Sequence, residues 1–236
     1  MPESPIRKLV PYAEKAVAKG KRVYYLNIGQ PDIETPVLAL DSVKLIDLKV
    51  VEYTHSAGYE HYRKGLAKYY QDLGYNIDYT NVMVTTGGSE ALQFGFMSCF
   101  DEGDELIIPE PFYANYNSFS KAAGVKVLPI VSNIQDGFSL PSIKEFEQKI
   151  TSKTKAVIFV DALGNPSNIH EISAICKKHN ISLIEDAACA LGSSEYGIKN
   201  GNIADLPAPP IKARVKPHAR TDIPIKLKPP TEIIVA

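Results

Sequence analysis

Val84-Thr-Thr-Gly-Gly-Ser-Glu-Ala-Leu92 is the stretch on which the fold turns. Its β-branched start reads as a strand, Gly87-Gly88 as a tight turn, and Ser89 onward as the opening of a helix. A strand that passes through glycine into a helix aims unpaired backbone N–H groups and the positive end of a helix dipole at one point. That arrangement suits a phosphate. Ser89 has a second reading, because serine is among the best helix N-caps and could simply close the helix start.

The pattern continues outward from this turn. Strand-like runs fall at 82–85, 105–109, 125–130, 156–160 and 182–184, and helical spacing at 89–100, 113–123, 142–150 and 168–179. The alternation predicts an α/β fold, a mostly parallel sheet with helices on both faces. In such sheets ligands sit at the carboxyl ends of the strands. Upstream, Ile6, Leu9, Val10, Ala13 and Ala16 predict an amphipathic helix ending near Gly20, followed by a short strand over 23–28. A further helix is expected from Gly58 to about Leu73, with Tyr62, Leu66, Tyr69 and Tyr70 as a core-packing stripe. No internal repeat is visible.

Residues 207–236 break the pattern. They hold seven prolines and no serine or glycine. Each proline removes a backbone donor, so an extended tail is expected here and a central strand is not. The expected division is therefore 1–50 as an N-terminal arm with part of a small domain, 51–206 as an incomplete large domain, and 207–236 as a proline-rich basic tail.

Composition narrows the class. A chain of 236 residues with 44% hydrophobic and 22% charged content is ordinary for a globular protein. The net charge of −1 divides into +4 on the tail and −5 on the rest, which gives no reason to expect nucleic acid or an anionic membrane as partner. Cys99, Cys176 and Cys189 show no metal or redox spacing and fit free thiols in a reducing cytoplasm. No apolar run reaches 18 residues, and no signal-peptide pattern opens the chain, so the Asn180-Ile-Ser182 sequon is expected to stay unmodified. The five histidines make no metal spacing, and neither G-x-G-x-x-G nor G-x-x-x-x-G-K-[ST] occurs.

Four segments then carry a resemblance. Leu26-Asn-Ile-Gly-Gln-Pro-Asp32, Tyr53-Thr-His-Ser-Ala-Gly58, Thr85-Thr-Gly-Gly-Ser-Glu-Ala91 and Pro109-Glu-Pro-Phe-Tyr-Ala-Asn-Tyr116 resemble, in order, the first half of class I, aspartate-type aminotransferases. These are pyridoxal-phosphate enzymes of fold type I. Residues 161–205, through Leu163-Gly-Asn-Pro-Ser-Asn-Ile-His-Glu171, Ile184-Glu-Asp-Ala-Ala-Cys-Ala-Leu-Gly192, Tyr196-Gly197 and Asn202-Ile-Ala-Asp205, resemble instead the aminotransferases of nucleotide-linked keto-sugars. The two families share a fold and a Gly-Asn-Pro segment, so a hybrid joined near Gly164 is sterically conceivable.

The resemblance implies roles for pyridoxal 5'-phosphate. Gly88, Ser89 and Glu90 would bind its phosphate through backbone N–H groups, with the Ser89 hydroxyl adding a donor. Tyr113 would lay an aromatic face over the ring; a core tyrosine is the alternative. Tyr53 would reach the phosphate of a neighbouring subunit, which presupposes a homodimer, or is a surface tyrosine. Gly29 would lie toward the substrate. Asp186 would face the pyridine nitrogen and keep it protonated, making the ring an electron sink; otherwise it caps a turn. Asn165 would serve the ring oxygen by the class I pattern, and Cys189 by the keto-sugar pattern, where a thiol is a weak donor.

The lysine that would bond the ring covalently is missing from its expected place. Val215 stands there, straddled by Lys212 and Lys216, and the surrounding prolines argue against a strand. A carboxylate-clamping arginine is also absent from context, since Arg214 and Arg220 lie in the tail. Three functions stay open. One is a pyridoxal-phosphate aminotransferase moving an amino group between an amino acid and a keto acid or keto-sugar. The second is a truncated or hybrid cofactor-binding scaffold without turnover. The third is a structural protomer whose basic tail docks on a complete partner. A sheet that stops near residue 206 would also expose apolar surface, so a homodimer or an aggregation-prone oligomer is expected.

Overall fold

The computed structural model of the chain describes residues 7–26, 29, 31–166 and 168–202, and the backbone of 212–214 and 232–235. The chain divides into two compact units, 2–55 and 56–236.

The larger unit is built on a four-stranded sheet, order β3-β2-β4-β5, from β2 (Glu105–Pro109), β3 (Lys126–Ile130), β4 (Thr154–Val160) and β5 (Ser182–Asp186). All its pairings are parallel, with Leu106 beside Val127, Ile107 beside Val157, and Val160 beside Asp186. The apolar runs explain why these strands are central: Leu106, Ile107 and Ile108 are all fully buried, as strands covered on both faces must be.

Alternation along the strands divides the core in two. Leu106, Ile108, Ala156 and Ile158 point to one layer, packed by Leu92 and Phe96 of α4 (Gly88–Cys99) and Tyr116 of α5 (Tyr116–Ala122). Ile107, Val157, Phe159 and Leu183 point to the other, packed by Phe146 of α6 (Ile143–Lys149) and Ile172 and Ile175 of α7 (Ile169–His179). Helices therefore cover both faces, as expected. Each buried leucine or isoleucine contributes roughly 1.5–3 kcal/mol of transfer free energy. The α6 start is set by Ser142, whose N–H donates to Glu145 Oε2 at 2.7 Å.

A third cluster joins Ala67 and Tyr70 of α3 (Glu60–Asp72) to Tyr75, Ile77 and Val82. The tyrosine stripe is only partly core. Tyr70 is buried, but Tyr62 and Tyr69 are each 50% exposed, because a helix resting on one small cluster can bury only one narrow face.

Two further expectations are corrected. Residues 23–26 form no strand, since no strand among the described residues pairs with them and an unpaired strand leaves its backbone groups unmet; 27 and 28 lie outside the described residues. The tail, conversely, does contribute strands. β8 (Lys212–Arg214) pairs antiparallel with β9 (Glu232–Val235), and β9 pairs parallel with β1 (Val82–Met83), so β9 is the middle strand of a three-stranded sheet. Both segments fall between prolines, at Pro210–Pro217 and after Pro230, and thus keep their donors. Lys212 consequently stands on a strand; Val215, Lys216 and Arg220 lie outside the described residues. A short hairpin of β6 (Ser194–Glu195) and β7 (Ile198–Lys199) follows β5.

The smaller unit contains α1 (Val10–Ala18), ending before Gly20, and α2 (Val37–Lys44). None of its described residues is buried.

Candidate functional site

The turn after β1 has the geometry expected of it. Gly87 takes φ +146, a conformation open to glycine, and is the residue before α4. The first intrahelical bond runs from Ala91 N–H to the Gly87 carbonyl at 3.2 Å, which leaves the N–H groups of Gly88, Ser89 and Glu90 without intrahelical partners. Ser89 is therefore not the N-cap; it is the second helical residue, exposed, and no side chain caps this helix. The loop is braced locally. Thr86 N–H donates to Glu90 Oε2 at 2.7 Å, and Thr85 Oγ1 donates to the Gly87 carbonyl at 3.0 Å. Ala91 and Leu92, just inside the helix, share a core layer with Tyr116, so the turn and the aromatic loop stand on one face of the sheet.

Asp186 closes β5 with both carboxylate oxygens engaged. Ala188 N–H donates to Oδ1 at 3.0 Å, and the Tyr116 hydroxyl donates to Oδ2. Tyr116 is fully buried, and its phenol is pushed far above the usual tyrosine range, by burial first and then by the Asp186 charge. It remains a donor at any working pH. Tyr113 meets Tyr116 edge-on at 5.7 Å between centroids and is 42% exposed, with its Oη accepting from Asn115 Nδ2 at 2.6 Å. A half-exposed ring held at its edge offers a face to a flat ligand.

The two rival ring-oxygen residues come from adjacent loops. Gly164, just before Asn165, takes φ +81, and a Cβ there would stand 3.3 Å from the Cys189 carbonyl oxygen and from Ser193 Oγ. Close backbone approach thus seats the Asn165 loop against the Cys189 loop. Both side chains are exposed, and Leu163, left-handed at φ 57 and 98% exposed, precedes them. Gly29 and Tyr53 belong to the 2–55 unit, and both are exposed.

Beneath Asp186 lie two fully buried acids, Asp161 and Glu185. Asn200 Nδ2 donates to Asp161 Oδ2 at 2.9 Å, and Gly201 N–H donates to Glu185 Oε1 at 2.6 Å. Burial, then the neighbouring Glu185, pushes the Asp161 carboxyl up to about 8. Among the described residues no three His, Cys, Asp or Glu side chains are grouped to hold a metal ion.

Comparison with known proteins shows the family. The DegT/DnrJ/EryC1/StrS aminotransferase family matches over residues 47–208. The chain belongs to that family. Within this family member the match extends well upstream of residue 161, through the Gly87 turn and the Tyr113 loop. The relatives nonetheless include aspartate aminotransferases. That of Thermotoga maritima is 31% identical over 200 residues, 78% of this chain and 52% of the relative, and that of Geobacillus stearothermophilus is 30% identical over 211 residues, 86% and 53%. Among solved structures, an alanine aminotransferase from Pyrococcus furiosus superposes with a TM-score of 0.72 at 28% identity, covering 90% of this chain and 56% of that one. The family member spans about half the length of the curated relatives it matches.

The residues that sequence reading missed are Tyr116, Asp161, Glu185 and Asn200. Asp161 left a signal, since it closes the apolar run 156–160 just as Asp186 closes the next strand. Tyr116 was quoted within a motif but overshadowed by Tyr113.

Proposed function

We propose that this chain holds pyridoxal 5'-phosphate at the carboxyl ends of its strands, as part of an aminotransferase that moves an amino group between an amino acid and a keto acid or keto-sugar. The observation that carries this reading is Asp186, half-buried and fixed through both oxygens by Tyr116 and Ala188. The residues fit the cofactor: N–H donors at Gly88, Ser89 and Glu90 for a phosphate, the Tyr113 face for a ring, and a carboxylate for a ring nitrogen. Asn165 and Cys189 are the two candidates for the ring oxygen. Bound there, the cofactor supplies an electron sink for charge developing on the amine-bearing carbon. The chain's own part is to orient it: Asp186 holds a proton at the ring nitrogen, and α4 presents its dipole to the phosphate.

By the same resemblance Gly29 is assigned to the substrate and Tyr53 to the site of a second subunit, so the working form is a homodimer. Its apolar exposure supports this, with Leu26, Leu38, Leu45, Val51 and Tyr53 all largely uncovered. The three cysteines are free, which supports a cytoplasmic setting. No helix among the described residues is long and apolar enough to cross a membrane.

Among the described residues of the tail, Lys212 is the candidate amine for the covalent bond. The antiparallel register sets Lys212 opposite Ile234, itself beside Val82, while Arg214 lies opposite Glu232. Lys212 therefore stands level with the first residue of β1 and nearer than Arg214 to the end from which the Gly87 turn departs. Titration with the cofactor, followed by absorbance, is expected to saturate below millimolar concentration, and borohydride reduction with peptide mass spectrometry to place one stoichiometric label on Lys212. Saturable binding with labels scattered over surface lysines would identify the scaffold without turnover. No saturable change would end the cofactor reading.

A further inference from the structure

The buried acids beneath Asp186 have no part in the reading above. Asp161 follows the last residue of β4, and Glu185 is the penultimate residue of β5, where it pairs with Phe159. The two carboxyls thus meet from neighbouring strands. The charges acting on Asp161 are both acidic, Glu185 and then Asp186; the neutral Asn200 amide alone pulls the other way. Tyr75 closes the knot, its Oη donating to the Asn200 carbonyl at 2.7 Å. Two buried carboxylates side by side cannot both be charged at low cost, and burial with Glu185 pushes Asp161 up to about 8. Asp161 Oδ1 accepts no hydrogen bond from the described residues, which suits the oxygen that carries a proton toward Glu185.

The backbone of Asp161 links this knot to the strand ends. Its N–H donates to the Asp186 carbonyl at 3.0 Å, and its own carbonyl accepts from Gly164 N–H at 3.0 Å, opening the turn that leads to Asn165.

We propose that Asp161 and Glu185 share a single proton, and that this proton makes Asp161 a pH-sensitive positioning residue for Asn165 and Asp186. The neutral Asp161 carboxyl donates its O–H to the Glu185 carboxylate. When that proton leaves to solvent, two like charges face each other in the core, and the Asp161 backbone is pushed from the bonds that seat Gly164 and Asp186. The positioning role rests on the functional reading of Asn165 and Asp186; the shared proton does not.

Denaturant unfolding from pH 4 to 9 tests it, comparing the unaltered chain with Asp161→Asn, which mimics the protonated acid. The native chain keeps a proton that the unfolded chain has released above pH 4. Its folding constant should therefore fall relative to the variant by up to tenfold per pH unit, from near equality at pH 4 until about pH 8, and then level off. Glu185→Gln removes the opposing charge and should end the divergence at lower pH, which provides a second reading if Asp161→Asn folds poorly. Pyridoxal phosphate affinity should fall several-fold from pH 7 to 9 in the unaltered chain relative to Asp161→Asn. Stability curves that run parallel in all three proteins overturn the shared proton, whether or not the cofactor binds. Divergent stability with unchanged relative affinity overturns the positioning role. Absence of cofactor binding at every pH, with divergent stability, would sink the functional reading and the positioning role with it but leave the proton pair standing.

Discussion

Tyr116 is wholly buried, and its phenol donates to the Asp186 carboxylate from the layer that also holds α4. Tyr116→Phe keeps the ring and deletes the donor. A hydrogen bond to a charged group contributes about 1.5–3 kcal/mol, so urea denaturation should show a loss of that size. Asp186 would then keep only the Ala188 N–H on its other oxygen, and cofactor affinity should drop together with stability. Unchanged stability would mean that the two groups are not bonded in solution. At this scale the sequence was half legible. Gly88 was picked out by the strand-turn-helix pattern, and Tyr113 and Asp186 by the resemblance, because all three fall on or soon after the carboxyl end of a strand, where a local pattern can be read. Asp161, Glu185 and Asn200 were not found, because their partnership depends on which strand lies beside which. No local rule states that 161 and 185 meet.

Among elements, the strand β1 and the turn before α3 are locked by one close approach. Gly58 takes φ +94, and a Cβ there would lie 2.7 Å from both Cβ and Cγ2 of Val84. Val84 N–H also donates to the Ala57 carbonyl at 3.0 Å, so the segments cannot separate without losing that bond. Gly58→Ala should therefore cost about 2–4 kcal/mol, from left-handed strain of about 1 kcal/mol or more plus overpacking of about 1–3 kcal/mol. A thermal shift smaller than about 2 °C would contradict it. Periodicity located β2 through β5, the three α-helices between them, and α4 before them to within about three residues. It failed where pairing decides the outcome: 23–26 had the composition of a strand and found no partner among the described residues, whereas 232–235, in a proline-rich setting, found two.

For the whole molecule, apolar exposure is concentrated in residues 2–55, where no described side chain is buried. Leu26, Ile33, Leu38 and Leu45 are each at least 80% exposed. Surfaces of this kind associate, so light scattering should report dimers or larger species, and a monodisperse monomer would exclude them. The 56–236 unit has a different consequence for anyone who wishes to re-engineer the chain. Its parallel sheet is a partition: Ile107 and Ile108 are neighbours in sequence, yet each serves a different layer. With Asp161 and Glu185 kept, the rest of the layer under α6 and α7 can be redesigned for thermal tolerance with little disturbance to the one that seats Tyr116. Directed evolution of specificity and of robustness could then proceed on opposite sides of the same four strands, with effects that add because the sheet keeps them apart.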